Sequence, residues 1–237
     1  MTADEQKKAA AQAALDYIRP GMKVGLGTGS TANHFIRALA AKVKLEKLDI
    51  ECVPTSSQTY KLASSQGLRM TTLEQHPLLD VTVDGADEFD ASFQLIKGGG
   101  GALLAEKIVA SSSRYMIVIA DQSKQVETLG KFPLPVEVVP FGVKATAWKI
   151  ERALRLLNLT GKLVLRVKDG QPFRTDNGNT IIDISLGAIP DPNRLSIYLN
   201  NVPGVVEDGL FVDICSIVLM GTDKGVETFK KASHRPS

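Results

Sequence analysis

The stretch DGADEFDASFQLIKGGGGALLAE, residues 84–106, decides how the rest of this chain is interpreted. The apolar run 79–83 predicts a buried strand that ends directly before Asp84, and residues 93–96 predict a short strand that ends before Lys97. Four glycines follow at 98–101, and a helix is expected from about Ala102. Because a run of glycines costs backbone entropy and adds no side-chain packing, it is typical of a loop that closes in on a ligand.

Charged side chains stand at the ends of these two strands. Asp84 and Asp87 follow the buried strand, Lys97 follows the short strand, and Glu106 lies about one turn into the helix. Ligands of open α/β sheets bind at the carboxyl ends of the strands. A helix N-terminus adds a positive field at the same place. The segment therefore predicts an active site.

The flanking sequence predicts an α/β fold with two domains. Strands are expected at 22–26, 50–53, 68–72 and 115–120, with helices at 2–18, 32–43 and 57–65, and this alternation predicts a doubly wound, mostly parallel sheet. From about 132 the pattern changes to a smaller α+β module, with strands at 136–139, 163–167 and 180–184 and helices at 144–157 and 190–201. Asn177-Gly178 predicts an antiparallel hairpin there. A strand at 213–220, a last helix at 224–230 and a frayed tail at 233–237 complete the prediction. The expected domains are 1–131 with 205–237, and 132–204.

Composition excludes several classes of protein. The chain has 237 residues, 43% of them hydrophobic and 23% charged, and a net charge of +2. These values are typical of a globular protein and call for neither a nucleic acid nor a membrane as partner. Cys52 and Cys215 belong to no metal-binding motif, which favours a reduced, cytoplasmic setting. The N-terminus lacks the apolar core of a signal peptide, and no apolar run approaches the ~18 residues of a membrane span.

The motif GLGTGST at 25–31 joins a predicted strand to a helix, a place where backbone N–H groups bind phosphate. It is not the dinucleotide fingerprint, because Ser30 stands where that motif needs glycine, and no Gly-Lys-Ser/Thr of a Walker A loop follows. Three hydroxyls, on Thr28, Ser30 and Thr31, suit a single phosphate or a sugar hydroxyl. The alternative is a tight turn with a Ser/Thr cap.

The acidic and basic candidates also leave alternatives open. Asp84, Asp87 and Glu88 suit a divalent cation, a solvated turn or a polar catalytic cluster, and the last is preferred because Lys97 competes for the same carboxylates. Glu106 is either an ordinary exposed helix residue or a functional carboxylate, and Lys124 either contacts a phosphate or lies on the surface. The histidines at 34 and 76 show no partner at useful spacing, and Trp148 is expected in the core.

An ordered set of motifs carries a family resemblance. GLGTGSTA (25–32), DGADE (84–88), KGGGGALLAEKI (97–108), ADQSK (120–124), KFPLPVEVVP (131–140), TDNGN (175–179) and NNVPGVVEDGLF (200–211) together resemble the A-type ribose-5-phosphate isomerases. The resemblance implies interconversion of ribose 5-phosphate and ribulose 5-phosphate in the pentose phosphate pathway. It also implies a Rossmann-like large domain, no cofactor or metal, and a homodimer or homotetramer.

The resemblance also assigns roles to individual residues. It implies that Glu106 is the general base and that Asp84, Asp87 and Lys97 form the catalytic polar cluster. The implied substrate-binding positions are Thr28, Gly29, Ser30, Thr31, Asp84, Gly85, Ala86, Asp87, Lys97, Gly98, Gly99, Gly100 and Lys124. A carboxylate suits proton abstraction at neutral pH because it is ionised and accepts only. Asp84, aided by Lys97, is the candidate for opening the sugar ring.

Three other functions remain compatible with such a scaffold. An amino-sugar-phosphate deaminase would release ammonia, and a CoA transferase would use a glutamate as nucleophile and form a thioester. A sugar-phosphate-sensing module would normally carry a helix-turn-helix domain and a basic face, neither of which the sequence predicts. The partner expected in all cases but CoA transfer is a small sugar phosphate.

Overall fold

The computed structural model describes residues 1–231, and these form two compact units. The first unit contains residues 1–86, 105–125 and 213–231, and the second contains residues 87–104 and 126–212. The domain boundaries expected from the sequence stay a prediction, because compactness alone does not establish that a unit folds independently. The tail 233–237, for which fraying is expected, lies outside the described residues.

The helices and strands of both units are numbered along the chain. The helices are α1 (Ala3–Ala14), α2 (Ser30–Glu46), α3 (Ser57–Ser65), α4 (Leu103–Ser111), α5 (Val143–Leu156) and α6 (Pro192–Asn200). The strands are β1 (Lys23–Leu26), β2 (Glu51–Pro54), β3 (Val81–Asp84), β4 (Glu88–Phe89), β5 (Leu95–Ile96), β6 (Met116–Asp121), β7 (Leu134–Val138), β8 (Lys162–Leu165), β9 (Val167–Lys168), β10 (Gln171–Pro172), β11 (Thr180–Ser185), β12 (Val205–Asp208), β13 (Leu210–Phe211), β14 (Cys215–Thr222) and β15 (Gly225–Lys230). Two single 3-10 turns, Leu15–Tyr17 and Gln122–Lys124, follow α1 and β6.

The first unit is built on a six-stranded sheet of order β15-β14-β6-β3-β1-β2. All neighbouring pairs are parallel except β14 with β15. Every residue of β3 and β6 is buried, as expected of parallel strands covered on both faces. Phe35 and Ile36 of α2 and Ala10 of α1 join the same core. The predicted α/β fold with a mostly parallel sheet is confirmed.

Three sequence-based expectations for individual segments are wrong. Residues 224–230 form no helix; Gly225–Lys230 pairs antiparallel with β14, because so short a segment gains more from an open sheet edge than from an isolated turn. Residues 68–72 form only a bridge between Met70 and Cys52, after which the chain leaves the sheet. Trp148 is 57% exposed on the outer face of α5 rather than in the core.

The second unit contains an antiparallel four-stranded sheet of order β12-β7-β11-β8, which agrees with the predicted α+β module. Ile150 of α5 and Leu195 of α6 contribute to its core. A three-stranded sheet of order β13-β5-β4 lies in the same unit. The sequence prediction missed the small β9–β10 hairpin, whose turn residues Asp169 and Gly170 both have positive φ.

Both cysteines are buried free thiols of the first unit. Cys52 lies in β2 and Cys215 in β14. Burial raises the pKa of each thiol to about 12, since a thiolate loses hydration in an apolar core. Within residues 1–231 there is no helix long and apolar enough to cross a membrane.

Candidate active site

In the first unit, the predicted polar positions gather where parallel strands end. The loop 27–31 follows β1, Thr55 follows β2, Asp84 ends β3, and the turn containing Lys124 follows β6. Because β2, β1, β3 and β6 are neighbouring parallel strands, their carboxyl ends lie along one edge of the sheet. The sheet thus brings together residues that are far apart along the chain.

The Asp84 carboxylate holds the first glycine loop. Its Oδ1 accepts hydrogen bonds from the backbone N–H of Thr28, at 3.2 Å, and of Gly85, at 2.7 Å. Asp84 is fully buried. A Cβ atom at Gly27 would overlap this carboxylate, so glycine is required for the close approach.

A cluster of hydroxyls supports the same loop from the neighbouring strand. The Thr28 hydroxyl oxygen lies 2.7 Å from that of Thr55, 2.8 Å from that of Ser56 and 3.0 Å from that of Thr59. The Thr59 hydroxyl in turn donates to the Gly27 carbonyl at 2.9 Å. Sequence reasoning missed these three partners, although the Ser/Thr-rich run after β2 is visible in PTSSQT, residues 54–59.

The loop ends at the N-terminus of α2, and the ammonium group of a lysine lies beside this helix start. Gly29 precedes α2 with a φ of 120°, and no side chain caps that helix start. Lys7 of α1 places its Nζ 3.3 Å from the Ser30 hydroxyl oxygen. A helix N-terminus with an adjacent ammonium group favours an anion. Lys7 was missed because its partner is distant in the sequence.

Lys124 follows β6 in a short turn of defined shape. The Asp121 carboxylate accepts the Ser123 N–H at 3.0 Å and also bonds the Ser123 hydroxyl. This local bonding fixes the turn that carries Lys124, whose side chain is half-buried. The lysine therefore stands at the same sheet edge as Asp84.

Glu106 is buried, with 4% of its surface exposed. Helix α4 runs antiparallel to β3: near the helix end, Leu79 donates its N–H to the Ser112 carbonyl, and one turn earlier Thr82 donates its hydroxyl to the Val109 carbonyl. Because the helix runs in this direction, its first turn, which contains Glu106, faces towards the carboxyl end of β3. The interpretation of Glu106 as an ordinary exposed helix residue is therefore wrong.

The second unit contains the other half of the decisive segment. The Asp87 carboxylate accepts the Gly99 N–H at 2.8 Å, so Asp87 and the second glycine loop are brought together. Gly98 has a φ of 106° and Gly101 a φ of 82°, which explains glycine at both ends of the loop. Gly99 and Gly100 are exposed, leaving the middle of the loop accessible.

Lys97 is almost completely buried in the second unit, with 2% of its surface exposed. Its backbone N–H donates to the Gly209 carbonyl at 2.9 Å, and its Nζ lies 5.5 Å from the centroid of the Phe211 ring. Burying an ammonium group is costly unless it has partners, and the face of the Phe211 ring is a favourable one.

Glu88, the third acid of the metal hypothesis, binds backbone N–H groups of the second unit. Its carboxylate accepts the N–H groups of Gly130, at 2.8 Å, and Phe132, at 2.5 Å. Across the part of the chain that is described, no group of three or more His, Cys, Asp or Glu side chains is arranged as a metal site. His34 and His76 have structural partners: His34 lies 2.8 Å from Asp4, and His76 lies 3.1 Å from Glu51.

Comparison with known proteins gives one consistent result. The family model for ribose 5-phosphate isomerase A (phosphoriboisomerase A) matches residues 51–225. Ribose-5-phosphate isomerase A of Parvibaculum lavamentivorans is 58% identical over 228 residues, which cover 96% of this chain and 98% of the relative.

Solved structures agree over nearly the whole length. A D-ribose-5-phosphate isomerase in complex with phospho-erythronic acid superposes with a TM-score of 0.90 at 43% identity, covering 98% of this chain and 100% of that one. Ribose 5-phosphate isomerase from Plasmodium falciparum superposes with a TM-score of 0.92 at 38% identity, covering 97% and 100%.

Proposed function

The chain belongs to the ribose-5-phosphate isomerase A family, and on that premise we propose that it interconverts D-ribose 5-phosphate and D-ribulose 5-phosphate in the non-oxidative branch of the pentose phosphate pathway. The reaction moves a proton between the C2 and C1 carbons of the open-chain sugar through a cis-enediolate. It consumes no second substrate, and no cofactor or metal is proposed.

The observation that carries the proposal is the environment of Glu106. This carboxylate is 4% exposed and belongs to the first turn of a helix that runs antiparallel to β3. An aldose–ketose isomerase needs one carboxylate base shielded from bulk water and positioned where ligands reach the sheet edge. The burial of Glu106 and its place in the first turn of α4 support this role.

The first step is opening of the sugar ring. Asp84 is proposed to transfer the proton, with Lys97 assisting. Asp84 is supported by its fixed position: two backbone N–H groups hold one carboxylate oxygen at the end of β3. The open chain then exposes the C1 aldehyde and the proton on C2.

Glu106 then removes the C2 proton, and the electron pair moves to form the enediolate, with negative charge on the C1 oxygen. Return of the proton to C1, with proton exchange between the two oxygens, gives the ketose. Lys97, the N–H groups of the glycine loop 98–100 and Asp87 are proposed to stabilise the enediolate and orient its hydroxyls. Fixed donors of this kind lower the barrier because they need no reorganisation as charge develops.

The phosphate is remote from the reacting carbons and supplies binding energy and orientation. Residues Thr28–Thr31 and Lys124 are proposed to hold it, with Lys7 adding positive charge near Ser30. Gly85 and Ala86 are proposed to contact the sugar through their backbone. Support comes from the helix N-terminus at Ser30 and the 3.3 Å contact of Lys7.

We propose a cytoplasmic homodimer or homotetramer. The two free thiols agree with a reducing compartment. Light scattering coupled to size-exclusion chromatography measures the assembly directly, and a mass of about 25.5 kDa, that of one chain, would contradict it.

The test is to mix purified protein with ribose 5-phosphate and EDTA in deuterium oxide and to follow ketose formation by NMR. Ketose should form without added metal, and part of it should carry deuterium at C1, because a carboxylate base exchanges its proton with solvent. A ketose without deuterium would favour a hydride shift. Loss of activity in EDTA with recovery in Mg²⁺ or Mn²⁺ would restore the metal hypothesis.

Three further measurements on the purified protein distinguish the isomerase from the other functions. Ammonia released from glucosamine 6-phosphate would identify a deaminase, and a thioester trapped with an acyl-CoA would identify a CoA transferase. Tight binding of ribose 5-phosphate without any conversion would identify a sensing module. Each of these results would contradict the isomerase proposal.

A further inference from the structure

Arg166 contacts the second glycine loop although it is far from that loop in the sequence. Its Nη1 donates to the carbonyl oxygen of Gly98, at 2.8 Å, and to that of Gly99, at 3.2 Å. All three residues belong to the second unit. The family motifs in the sequence do not include Arg166.

The guanidinium is itself held in one orientation. Its Nε and Nη2 pair with the two carboxylate oxygens of Asp183 on β11, at 2.9 Å and 2.5 Å. The Arg166 side chain is 15% exposed, and its Cζ lies 5.8 Å from the centroid of the Phe173 ring. A two-point pair over an aromatic face leaves the arginine little freedom, and a lysine does not reproduce that geometry.

The ring of Phe173 also touches the end of the loop. A Cβ atom at Gly101 would overlap it. Phe173 donates its N–H to the Arg166 carbonyl at 2.8 Å, and Arg166 donates its own N–H to the Ile181 carbonyl at 2.8 Å. Arg166 and Phe173 are therefore anchored to each other and to β11, and together they limit the loop on one side.

The direction of the loop carbonyls determines the direction of the loop N–H groups. In a trans peptide the carbonyl and the following N–H point to opposite sides. Because Arg166 binds the Gly98 carbonyl, the Gly99 N–H points away from it, and this N–H donates to Asp87 at 2.8 Å. Because Arg166 also binds the Gly99 carbonyl, the Gly100 N–H points to the side away from Arg166.

We propose that Arg166, oriented by Asp183, is a positioning residue for the isomerisation: it fixes two peptide planes so that Asp87 is held by the Gly99 N–H and the Gly100 N–H is presented to the reacting end of the sugar. The proposal rests on the proposed function. Arg166 touches no reacting atom and acts through the loop. The positive charge of Arg166 balances the negative charge of Asp183, so the two side chains together add no net charge beside the loop.

The test compares Arg166→Ala, Arg166→Lys and Asp183→Asn with the exposed control Arg174→Ala. The kcat for ribose 5-phosphate should fall about 10- to 100-fold in Arg166→Ala, because a misplaced catalytic loop has effects of that size. The kcat should fall less in Arg166→Lys and in Asp183→Asn, and the kcat of Arg174→Ala should equal that of the wild type. Adding Asp183→Asn to Arg166→Ala should cause little further loss, since Asp183 acts through the arginine.

Two inhibitors separate positioning from general damage. Phospho-erythronic acid has a planar carboxylate that resembles the planar enediolate, so its Ki should rise by about the factor lost from kcat. Inorganic phosphate probes only the anion-binding loop after β1, and its Ki should stay within about two-fold of the wild type. Circular dichroism melting verifies that each variant is folded. If Arg166→Ala does not fold, the same comparison is made with Arg166→Lys or Asp183→Asn.

The proposal is overturned if a folded Arg166 variant keeps the wild-type kcat and Ki for phospho-erythronic acid. It is also overturned if phosphate binding weakens by the same factor, or if the loss of activity follows the loss of folded protein. An inactive wild-type enzyme would instead contradict the proposed function, and the positioning role with it.

Discussion

The two glycine-rich loops, 25–31 in the first unit and 98–101 in the second, are alike in one kind of hydrogen bond and differ in the groups that otherwise support them. In each, an aspartate carboxylate accepts a loop N–H: Asp84 binds that of Thr28, and Asp87 binds that of Gly99. The first loop is otherwise supported by neutral hydroxyls and ends in a helix N-terminus. The second is bound through its carbonyls by the charged side chain of Arg166.

This difference indicates a division of labour. A loop whose N–H groups begin a helix suits tight binding of a fixed anion. When a guanidinium outside the loop fixes its peptide planes, the loop N–H groups keep a fixed direction. Such N–H groups suit a ligand group whose charge changes during the reaction. Damage to the first loop should therefore appear mainly in KM and stability, and damage to the segment 97–106 mainly in kcat.

The largest effect is expected from Glu106→Gln, which keeps the shape of the side chain and removes the base. The kcat should fall by a factor of ~10²–10⁴, the usual contribution of a general base, while binding of ribose 5-phosphate persists. Steady-state kinetics and calorimetric titration measure the two quantities. Glu127→Gln, at an exposed position, is the control, and a kcat near the wild-type value would remove Glu106 from its role.

Lys97→Met is expected to come next, because it removes the ammonium and keeps an unbranched side chain in its buried position. The kcat should fall by a factor of ~10²–10³ if Lys97 stabilises the enediolate, as for loss of one such donor. Lys168→Met, at an exposed position, is the control. A change confined to KM would assign Lys97 to binding and weaken the contrast between the two loops.

Lys124→Ala tests the binding side of the contrast. Loss of one charge-assisted hydrogen bond to phosphate should raise KM by a factor of ~10 with little change in kcat. The Ki of inorganic phosphate should rise in parallel, and Lys131→Ala, at an exposed position, should change neither. An unchanged KM would contradict a phosphate contact.

Thr28→Val should give the smallest effect on kcat, and it should lower the stability and raise KM, because the Thr28 hydroxyl belongs to the proposed phosphate site. The isosteric change deprives the hydroxyls of Thr55, Ser56 and Thr59 of a shared partner, at a cost of about 1–3 kcal/mol in the free energy of unfolding. Urea titration measures this cost against the exposed control Thr160→Val. A KM equal to that of the wild type would remove the Thr28 hydroxyl from the proposed phosphate site.

Sequence reasoning reached the parts of the site that depend on strand ends. Asp84 and the loop 25–31 follow apolar runs, so their place at one sheet edge was predictable from the rule for parallel sheets. The burial of Glu106 was not predictable, because it depends on α4 running antiparallel to β3 with Val109 against Thr82.

Contacts between distant segments were beyond the sequence. Lys7 lies 23 residues from Ser30, and Arg166 lies 68 residues from Gly98, so no local pattern links either pair. The helix that the sequence predicts at 224–230 is wrong for a related reason, since Gly225–Lys230 is a strand. Its state is decided by the free edge of β14, a tertiary partner, rather than by its own propensity.

The two buried thiols give the first unit a built-in reporter of opening. With a pKa of about 12, neither Cys52 nor Cys215 carries appreciable thiolate near neutral pH, so an alkylating reagent must wait until the sheet exposes them. Cys52 of β2 pairs with Val24 of β1 and with Met70, whereas Cys215 of β14 pairs with Met116 of β6 and precedes the pairing of β14 with β15, which starts at Ile217. The order in which the two sulfurs are modified under mild denaturation would show from which margin the sheet begins to come apart.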